Sequence, residues 1–214
     1  MNHLSPPPAP GRVIVRLNWV DAVTLGGLLL ALGALLATAR HQLALALGLL
    51  FLAVFCDAFD GVLARRFGLA RDFGRYLDSF VDVFIYLITP AAWFYASGFD
   101  TPWALAILAV FIAAGLIRLS VFNGIGNIEI PAAGGSAKLA YLGMPVFWAA
   151  FAAAGYFPLR LLAGDELARP MLGVVLLVYA ALMLHRADYW KPRHKGLMLG
   201  AIGAISAAYF WLAG

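Results

Sequence analysis

Four aspartates at helical spacing interrupt an otherwise apolar stretch, and they constrain the fold of this chain more than any other feature. Residues 57–82 read DAFDGVLARRFGLARDFGRYLDSFVD, with long apolar runs on both sides. Asp57 and Asp60 are three residues apart and Asp78 and Asp82 are four apart, so each pair lies on one face of a helix. Ionisable groups at membrane depth are costly and usually mark a functional site. Two such helices can converge on a divalent cation, because carboxylate oxygens suit Mg²⁺.

The composition assigns the chain to the membrane proteins. Of its 214 residues, 64% are hydrophobic and 12% are charged, which is far from the mixture of a soluble domain. We predict membrane spans over residues 22–38, 43–65, 74–97, 103–122, 139–157, 171–185 and, as the optional last one, 196–213. The predicted fold is therefore an all-α polytopic membrane helix bundle of six to seven transmembrane helices, forming one domain over residues 12–214.

The segments outside these spans have distinct compositions. Residues 1–11 are proline-rich, and we expect them to form a disordered tail. Residues 12–20 alternate basic and apolar side chains, which predicts an amphipathic segment at the membrane interface. Residues 123–138 are too polar and glycine-rich for a lipid-facing helix, so we expect a loop that lies against the site. Residues 158–170 are predicted to form a polar loop.

The charges indicate an orientation and exclude one class of partner. The net charge of +4 is small and dispersed, which argues against nucleic acid. If the N-terminus is cytoplasmic, only three of the 15 Lys and Arg residues lie on the opposite side of the membrane, namely Arg40, Arg160 and Arg169. This bias places the acidic stretch at the cytoplasmic face of the inner membrane. Asp57 precedes Arg65 by eight residues and lies about 12 Å deeper, which predicts a pocket just under the headgroups.

The acidic stretch resembles the signature of a known enzyme family. Every fixed position of the CDP-alcohol phosphatidyltransferase signature is matched by Asp57-x-x-Asp60-Gly61-x-x-Ala64-Arg65 and, eight residues later, Gly74-x-x-x-Asp78-x-x-x-Asp82. The acids alone also fit helix caps, surface pairs or a cation-binding transporter bundle. None of these alternatives requires Gly61, Ala64, Arg65 or Gly74 at these offsets.

The resemblance implies the transfer of a phosphatidyl group from CDP-diacylglycerol to a small alcohol, with release of CMP. It implies two Mg²⁺ or Mn²⁺ ions held by Asp57, Asp60, Asp78 and Asp82 (the motif aspartates), with Asp82 also the catalytic base. The expected contacts to the CDP-lipid are Gly61, Ala64, Arg65, Gly74, Asn18 and Thr24. Capping of the first helix is an alternative role for Asn18. The family also implies a homodimer that works among membrane lipids.

The later part of the chain resembles the phosphatidylserine synthase branch of this family. GLIRLSVFN at residues 115–123 is similar to an Arg-Leu-x-x-Phe-Asn segment of that branch, and YLGMPVFWAA at 141–150 to its Gly-x-Pro stretch. LMLHRADYWKP at 182–192 is similar to its Leu-Met followed by Tyr-x-Lys. Residues 78–90 depart from the Ser-Phe-Gly that usually precedes its Ala-Pro. We accordingly expect serine to be the acceptor.

The residues expected to bind the acceptor are Arg118, Asn123 and Lys138. Arg118 lies within a predicted span and can supply the one cation that a serine carboxylate needs. Inositol phosphate, glycerol phosphate and choline stay open as acceptors. A phosphorylated acceptor would need several convergent cations, and Lys138 could join them. Choline would need aromatic rings around its quaternary ammonium.

Overall fold

The computed structural model describes residues 14–126, 128–131, 137–190 and 195–214, and eight α-helices make up most of this part. Their bounds are Trp19–Ala39 (α1), Leu43–Arg66 (α2), Asp72–Asp82 (α3), Thr89–Ala96 (α4), Pro102–Ile125 (α5), Trp148–Ala163 (α6), Asp165–Leu184 (α7) and Lys195–Ala213 (α8). A π-helical turn over Val83–Ile88 joins α3 to α4, so the two helices form one rod over Asp72–Ala96. The tail predicted over residues 1–11 lies outside the described residues.

Within the described residues, six segments are long and apolar enough to cross a membrane, namely α1, α2, the α3–α4 rod, α5, α7 and α8. They confirm the predicted polytopic helix bundle, and the prediction of a last span over 196–213 agrees with Gly196–Ala213. Helix α6 has only 16 residues. At about 1.5 Å per residue it is shorter than the hydrocarbon core of a bilayer. It packs against α2, α4 and α7 within the bundle.

The prediction of a span over 139–157 followed by a loop over 158–170 is wrong. Residues 137–142 form a strand, and α6 begins only at Trp148. The supposed loop is helical except at Gly164, which separates α6 from α7. Pro158 and Pro170, at the two ends of the predicted loop, both lie inside these helices.

Pro158 does not end α6 because a distant helix replaces the hydrogen bond that it removes. A proline at this position leaves the carbonyl of Ala154, four residues earlier, without its helical donor. The hydroxyl of Tyr209 in α8 donates to that carbonyl at 2.7 Å. Such a bond between distant helices cannot be read from the local sequence.

A small antiparallel sheet lies at one end of the bundle. Its strands, in the order β1-β2-β3, are Ile128–Pro131 (β1), Ala137–Leu142 (β2) and Asp188–Trp190 (β3). The loop predicted over 123–138 is therefore partly strand. After β2, the N–H of Gly143 donates to the carbonyl of Ala187 at 2.9 Å. Gly143 has φ +79°, and a Cβ there would lie 2.5 Å from the carbonyl oxygen of Met183, so only glycine lets the chain pass this close to α7.

The first helix begins with a capping box. The Asn18 side chain accepts from the N–H of Asp21 at 2.9 Å, and the Asp21 carboxylate accepts from the N–H of Asn18 at 2.7 Å. This bears out the capping role considered for Asn18. Residues 14–18 are the described part of the segment predicted to be amphipathic, and they are not helical.

Helix α2 lies between α1 and α8 and brings the first half of the motif to the core. A Cβ at Gly48 would lie 3.2 Å from the ring of Phe210, so this glycine allows α8 to approach closely. The hydroxyl of Ser206 in α8 donates to the carbonyl of Gly48 at 2.9 Å. Because Leu50 and Phe51 are fully buried beside this contact, α2 is held firmly along its length up to the acidic residues.

Candidate active site

The motif aspartates meet in space. One carboxylate oxygen from each of Asp57, Asp60 and Asp78 lies within 4.8 Å of the others. The first two come from α2 and the third from α3, so this cluster joins the two halves of the motif. Asp82, one turn after Asp78, is a side-chain neighbour of Asp57. The two helices thus present their acidic pairs to one point, as the spacing predicts.

Two hydroxyl groups orient these carboxylates. The hydroxyl of Thr24 in α1 donates to Oδ2 of Asp60 at 2.5 Å, and the hydroxyl of Tyr86 in the π-helical turn donates to Oδ2 of Asp57 at 2.5 Å. Thr24, Asp60 and Tyr86 are all buried. Hydrogen bonds to an ionised carboxylate are short and strong. They hold both carboxylates in place, and lone pairs remain on each for a further ligand.

The cluster brings carboxylate groups together without an ion pair from any residue that the structure describes. Within the part of the chain that the structure describes, no salt bridge joins a motif aspartate to a Lys or Arg. Oδ1 of Asp82 is buried and, among the same residues, has no hydrogen-bond partner. Buried carboxylates need a counter-charge, and hard oxygen ligands suit hard divalent cations. The donor set therefore fits Mg²⁺ or Mn²⁺.

The cluster opens into a cavity of about 620 Å³ that has two different walls. All four motif aspartates and Tyr86 line one wall. The other wall is apolar and consists of residues from the connection before α6, from α6 and from α8, including Met144, Phe147, Phe151, Met198 and Ile202. A molecule with a charged head and an apolar tail matches this division.

Two arginines also line the cavity. Arg65 follows the acids on α2, and a Cβ at Gly61 would lie 3.4 Å from its Nη2, so Gly61 leaves room for the guanidinium. Arg118 comes from α5, is only 5% exposed, and lies 5.7 Å from the centre of the Phe122 ring. The cavity therefore combines a surplus of carboxylates with cations that can contact an anionic substrate.

The structure brings some of the predicted site residues together and leaves others away from the cavity wall. Those on the wall are Asp57, Asp60, Gly61, Arg65, Asp78, Asp82 and Arg118. Those described but not on the wall are Asn18, Thr24, Ala64, Gly74 and Asn123. Lys138 belongs to β2, and its side chain lies outside the described part. The substrate contacts of these residues stay predictions.

Three residues away from the wall have clear partners of their own. Asn18 caps α1, and Thr24 lies behind Asp60 as its hydrogen-bond donor. Asn123 accepts a hydrogen bond from the hydroxyl of Ser79 at 2.8 Å, which ties α5 to α3 next to the second acidic pair. Each of these contacts positions an element of the site.

An ion pair that the sequence did not single out ties the connection between the two motif halves to α1. Arg71, just before α3, forms a salt bridge with Asp21, whose side chain is 4% exposed. Arg71 also donates to the carbonyl of Arg16 at 2.9 Å. Gly74 lies beside this pair, since a Cβ there would be 3.7 Å from Oδ1 of Asp21. The ion pair thus holds the start of α3 against the start of α1.

Sequence reasoning missed Tyr86 and the apolar wall. Tyr86 follows Asp82 by four residues, which is a partial signal, but in a regular α-helix it would lie about 80° around the axis from Asp78. Met198 and Ile202 gave no such signal, because they are apolar residues in an apolar helix. Their position at the cavity depends on how α8 packs against α2.

Comparison with known proteins agrees with this geometry. The family model described as CDP-alcohol phosphatidyltransferase matches residues 17–184. The chain is 29% identical over 133 residues to the CDP-diacylglycerol–serine O-phosphatidyltransferase of Bacillus subtilis, covering 61% of this chain and 70% of that protein. A protein of the same name from Methanocaldococcus jannaschii is 37% identical over 81 residues, which cover 38% of this chain and 39% of that protein. Another from Saccharomyces cerevisiae is 33% identical over 98 residues, which cover 45% of this chain and 35% of that protein. The chain thus spans less than half of the archaeal and yeast proteins.

Proposed function

Because the chain belongs to the CDP-alcohol phosphatidyltransferase family, we propose that it transfers the phosphatidyl group of CDP-diacylglycerol to serine and releases CMP. The observation that carries this proposal is the cavity, whose lining combines the four motif carboxylates with an apolar wall. A CDP-linked lipid has a charged pyrophosphate next to acyl chains, and it matches both sides. The names of the relatives support serine as the acceptor.

The motif aspartates would hold two divalent cations, Mg²⁺ or Mn²⁺. Three of their carboxylates meet within 4.8 Å, and Asp82 keeps a buried oxygen available beside them. When bound, such cations neutralise the pyrophosphate and stabilise the leaving CMP. The hydroxyls of Thr24 and Tyr86 keep Asp60 and Asp57 in fixed orientations for this role.

Asp82 is the proposed general base. The serine hydroxyl oxygen attacks the phosphorus that bears the diacylglycerol, and a new phosphorus–oxygen bond forms. The bond from that phosphorus to the oxygen of CMP breaks, and CMP leaves with the electron pair. Asp82 takes the proton of the attacking hydroxyl, which an unactivated alcohol must lose. Its position on the cavity wall supports this role.

Small residues and one arginine of the motif are proposed to bind the cytidine diphosphate part. Gly61 and Arg65 lie on the cavity wall, where the guanidinium can contact a phosphate. Ala64 and Gly74 would let the nucleotide approach α2 and α3 closely. Asn18 and Thr24 would complete this part of the site from α1.

Arg118 is proposed to bind the serine carboxylate. It is buried and lines the same cavity as Asp82, so an acceptor can contact both residues. Asn123 and Lys138 would assist from the end of α5 and from β2. We further propose that the site faces the cytoplasm and that the enzyme is a homodimer in the inner membrane, in line with the positive charge on that side.

The test is an assay of purified protein with CDP-diacylglycerol and one acceptor at a time, namely serine, inositol, inositol phosphate, glycerol phosphate or choline. We expect CMP and phosphatidylserine to form with serine and Mg²⁺ or Mn²⁺, and EDTA to abolish both. Undiminished turnover in EDTA would refute the metal dependence. Preference for a phosphorylated acceptor would replace serine and leave the phosphatidyl transfer intact.

A further inference from the structure

We propose that Tyr86 is a positioning residue for the aspartate cluster, placed there by the π-helical turn that Pro90 imposes on the α3–α4 rod. The inference rests on the proposed function, in which Asp57 helps to hold a divalent cation. It concerns a residue outside the motif, contributed by a segment of unusual backbone structure.

Pro90 explains why the helix departs from α-helical geometry at this place. A proline has no backbone N–H, and its ring collides with the carbonyl four residues earlier, which here belongs to Tyr86. The chain forms the π-helical turn Val83–Ile88 directly before it, and the N–H of Thr89 donates to the carbonyl of Phe84, five residues back. Such turns are rare and frequently found at functional sites.

The π-helical turn changes the direction in which Tyr86 points. In an uninterrupted α-helix Tyr86 would lie about 80° around the axis from Asp78. A turn closed by bonds five residues apart holds more residues, so it rotates Tyr86 back toward the face that carries Asp78 and Asp82. The outcome is the 2.5 Å hydrogen bond from its hydroxyl to Oδ2 of Asp57 on the neighbouring helix.

This hydrogen bond connects the two halves of the site. Asp57 belongs to α2, whereas Tyr86 belongs to the same rod as Asp78 and Asp82. Tyr86 is 3% exposed and lines the cavity, so its hydroxyl is shielded from bulk water. The phenol occupies one lone pair of Asp57 and fixes the carboxylate plane, while the remaining lone pairs stay available to a cation. Groups that orient metal-binding carboxylates typically contribute roughly 10–100-fold to metal affinity.

The test measures Mn²⁺ binding to the full-length protein in detergent, without substrate, from the electron paramagnetic resonance signal of free Mn²⁺. Tyr86→Phe keeps the ring and removes only the hydroxyl. We expect it to raise the Mn²⁺ Kd about 10-fold. The matched control is Tyr95→Phe in the same rod, where the side chain is 51% exposed, and we expect a Kd within about 2-fold of the wild type.

A second variant tests the role of the backbone without removing a polar side chain. Pro90→Ala restores the N–H that α-helical geometry needs, so the turn can become regular and rotate Tyr86 away from Asp57. We expect it to weaken Mn²⁺ binding about as much as Tyr86→Phe does. The melting temperature of each metal-free variant shows whether it folds. If Tyr86→Phe does not fold, the Mn²⁺ affinity of Pro90→Ala decides whether Tyr86 positions Asp57.

The outcomes separate this inference from the proposed function. If Tyr86→Phe binds Mn²⁺ as tightly as the wild type while Asp57→Asn loses binding, Tyr86 has no positioning role and the metal site stands. If the wild type itself binds no Mn²⁺, the metal assignment of the proposed function fails. A Kd raised equally by Tyr95→Phe would also overturn the inference, because the effect would then not be specific to the Asp57 contact.

Discussion

Charged clusters occur at both ends of the helix bundle, and the two are built in opposite ways. At one end Asp165 pairs with Arg160 at 2.5 Å and with Arg169 at 3.1 Å, and all three side chains are about one-third exposed. We call these three residues the paired cluster. At the other end the motif aspartates are gathered with no salt bridge to a Lys or Arg among the described residues. The carboxylate of the paired cluster is thus ion-paired, whereas the motif carboxylates have no such pairing within the described part of the chain.

The difference bears on which cluster could bind a divalent cation. The paired cluster also adjoins a cavity, of about 410 Å³, lined among others by Leu43 and Trp93. Its carboxylate is already satisfied by two guanidinium groups, so an added cation would gain little there. The motif aspartates would gain more electrostatic energy from a divalent cation, because they are partly shielded from water and form no salt bridge among the described residues.

The largest effect is expected from removing charge at the motif aspartates. Asp57→Asn, Asp60→Asn and Asp78→Asn should each lower CMP release from CDP-diacylglycerol by at least about 100-fold, since each removes a negative charge from the site of the cations. The control is Asp165→Asn in the paired cluster, which should keep nearly full turnover. Near-normal activity in all three motif variants would mean that the motif aspartates are no more important for CMP release than the paired cluster.

The next largest effect separates the base from a simple ligand. Asp82→Asn should lower turnover by about 100-fold, because a general base acts only as the hydroxyl attacks. Its Kd for CDP-diacylglycerol should change much less, which equilibrium binding measures. A proportional loss of binding and turnover would mean that Asp82 serves mainly to hold a cation.

Arg118 tests whether the buried cation of the cavity acts differently from the arginines of the paired cluster. Arg118→Lys should raise the KM for serine roughly 10-fold, because lysine cannot hold a carboxylate through two parallel hydrogen bonds. Binding of CDP-diacylglycerol should stay close to that of the wild type. Arg169→Lys is the matched control and should leave the KM for serine unchanged. An equal rise of KM in both variants would count against a role for Arg118 in acceptor binding.

Two buried threonines of α1 allow the same comparison within one helix. The hydroxyl of Thr24 donates to Asp60, whereas that of Thr38, near the other end, donates to the carbonyl of Ala34 at 2.8 Å. Thr24→Val should weaken Mn²⁺ binding about 10-fold, and Thr38→Val should leave it unchanged. Equal Mn²⁺ affinity in both variants would show that the Thr24 hydroxyl does not orient Asp60 for the cation.

The smallest effect is expected at the paired cluster itself. Asp165→Asn should lower the free energy of unfolding by only about 0.5–1 kcal/mol, because the three side chains are partly exposed and water screens their attraction. Thermal unfolding in detergent should show a melting temperature about 2 °C lower. A loss of turnover without a loss of stability would mean that this end of the bundle also contributes to the reaction.

The parts of the site that sequence predicted are those that depend on local spacing. Asp57 and Asp60, like Asp78 and Asp82, share a face because an α-helix repeats every 3.6 residues, and the structure has both pairs on helices. Long apolar runs likewise predicted the six helices that can cross a membrane, since length and hydrophobicity are properties of a segment alone, although the further predicted span over 139–157 is not among them. The capping of α1 by Asn18 depended on residues only three apart.

The predictions from sequence were wrong where contacts with distant segments override local signals. Pro158 normally ends or kinks a helix, and α6 continues through it because Tyr209 satisfies the carbonyl of Ala154. Residues 139–142 were predicted to begin a span, but they belong to β2, which pairs with the distant strand β3 at Asp188–Trp190. Neither partner could be identified from the residues on either side.

The sequence by itself determined that this is a membrane helix bundle with an acidic motif of one enzyme family, because periodicity, hydrophobicity and motif spacing are written along the chain. Only the tertiary structure decided which groups surround those acids. Thr24, Tyr86 and Met198 come from three different segments, and each reaches the site through the packing of its helix against α2. Contacts between helices depend on rotation and depth that no single segment encodes, which is why the surroundings of the motif aspartates emerged only from the fold.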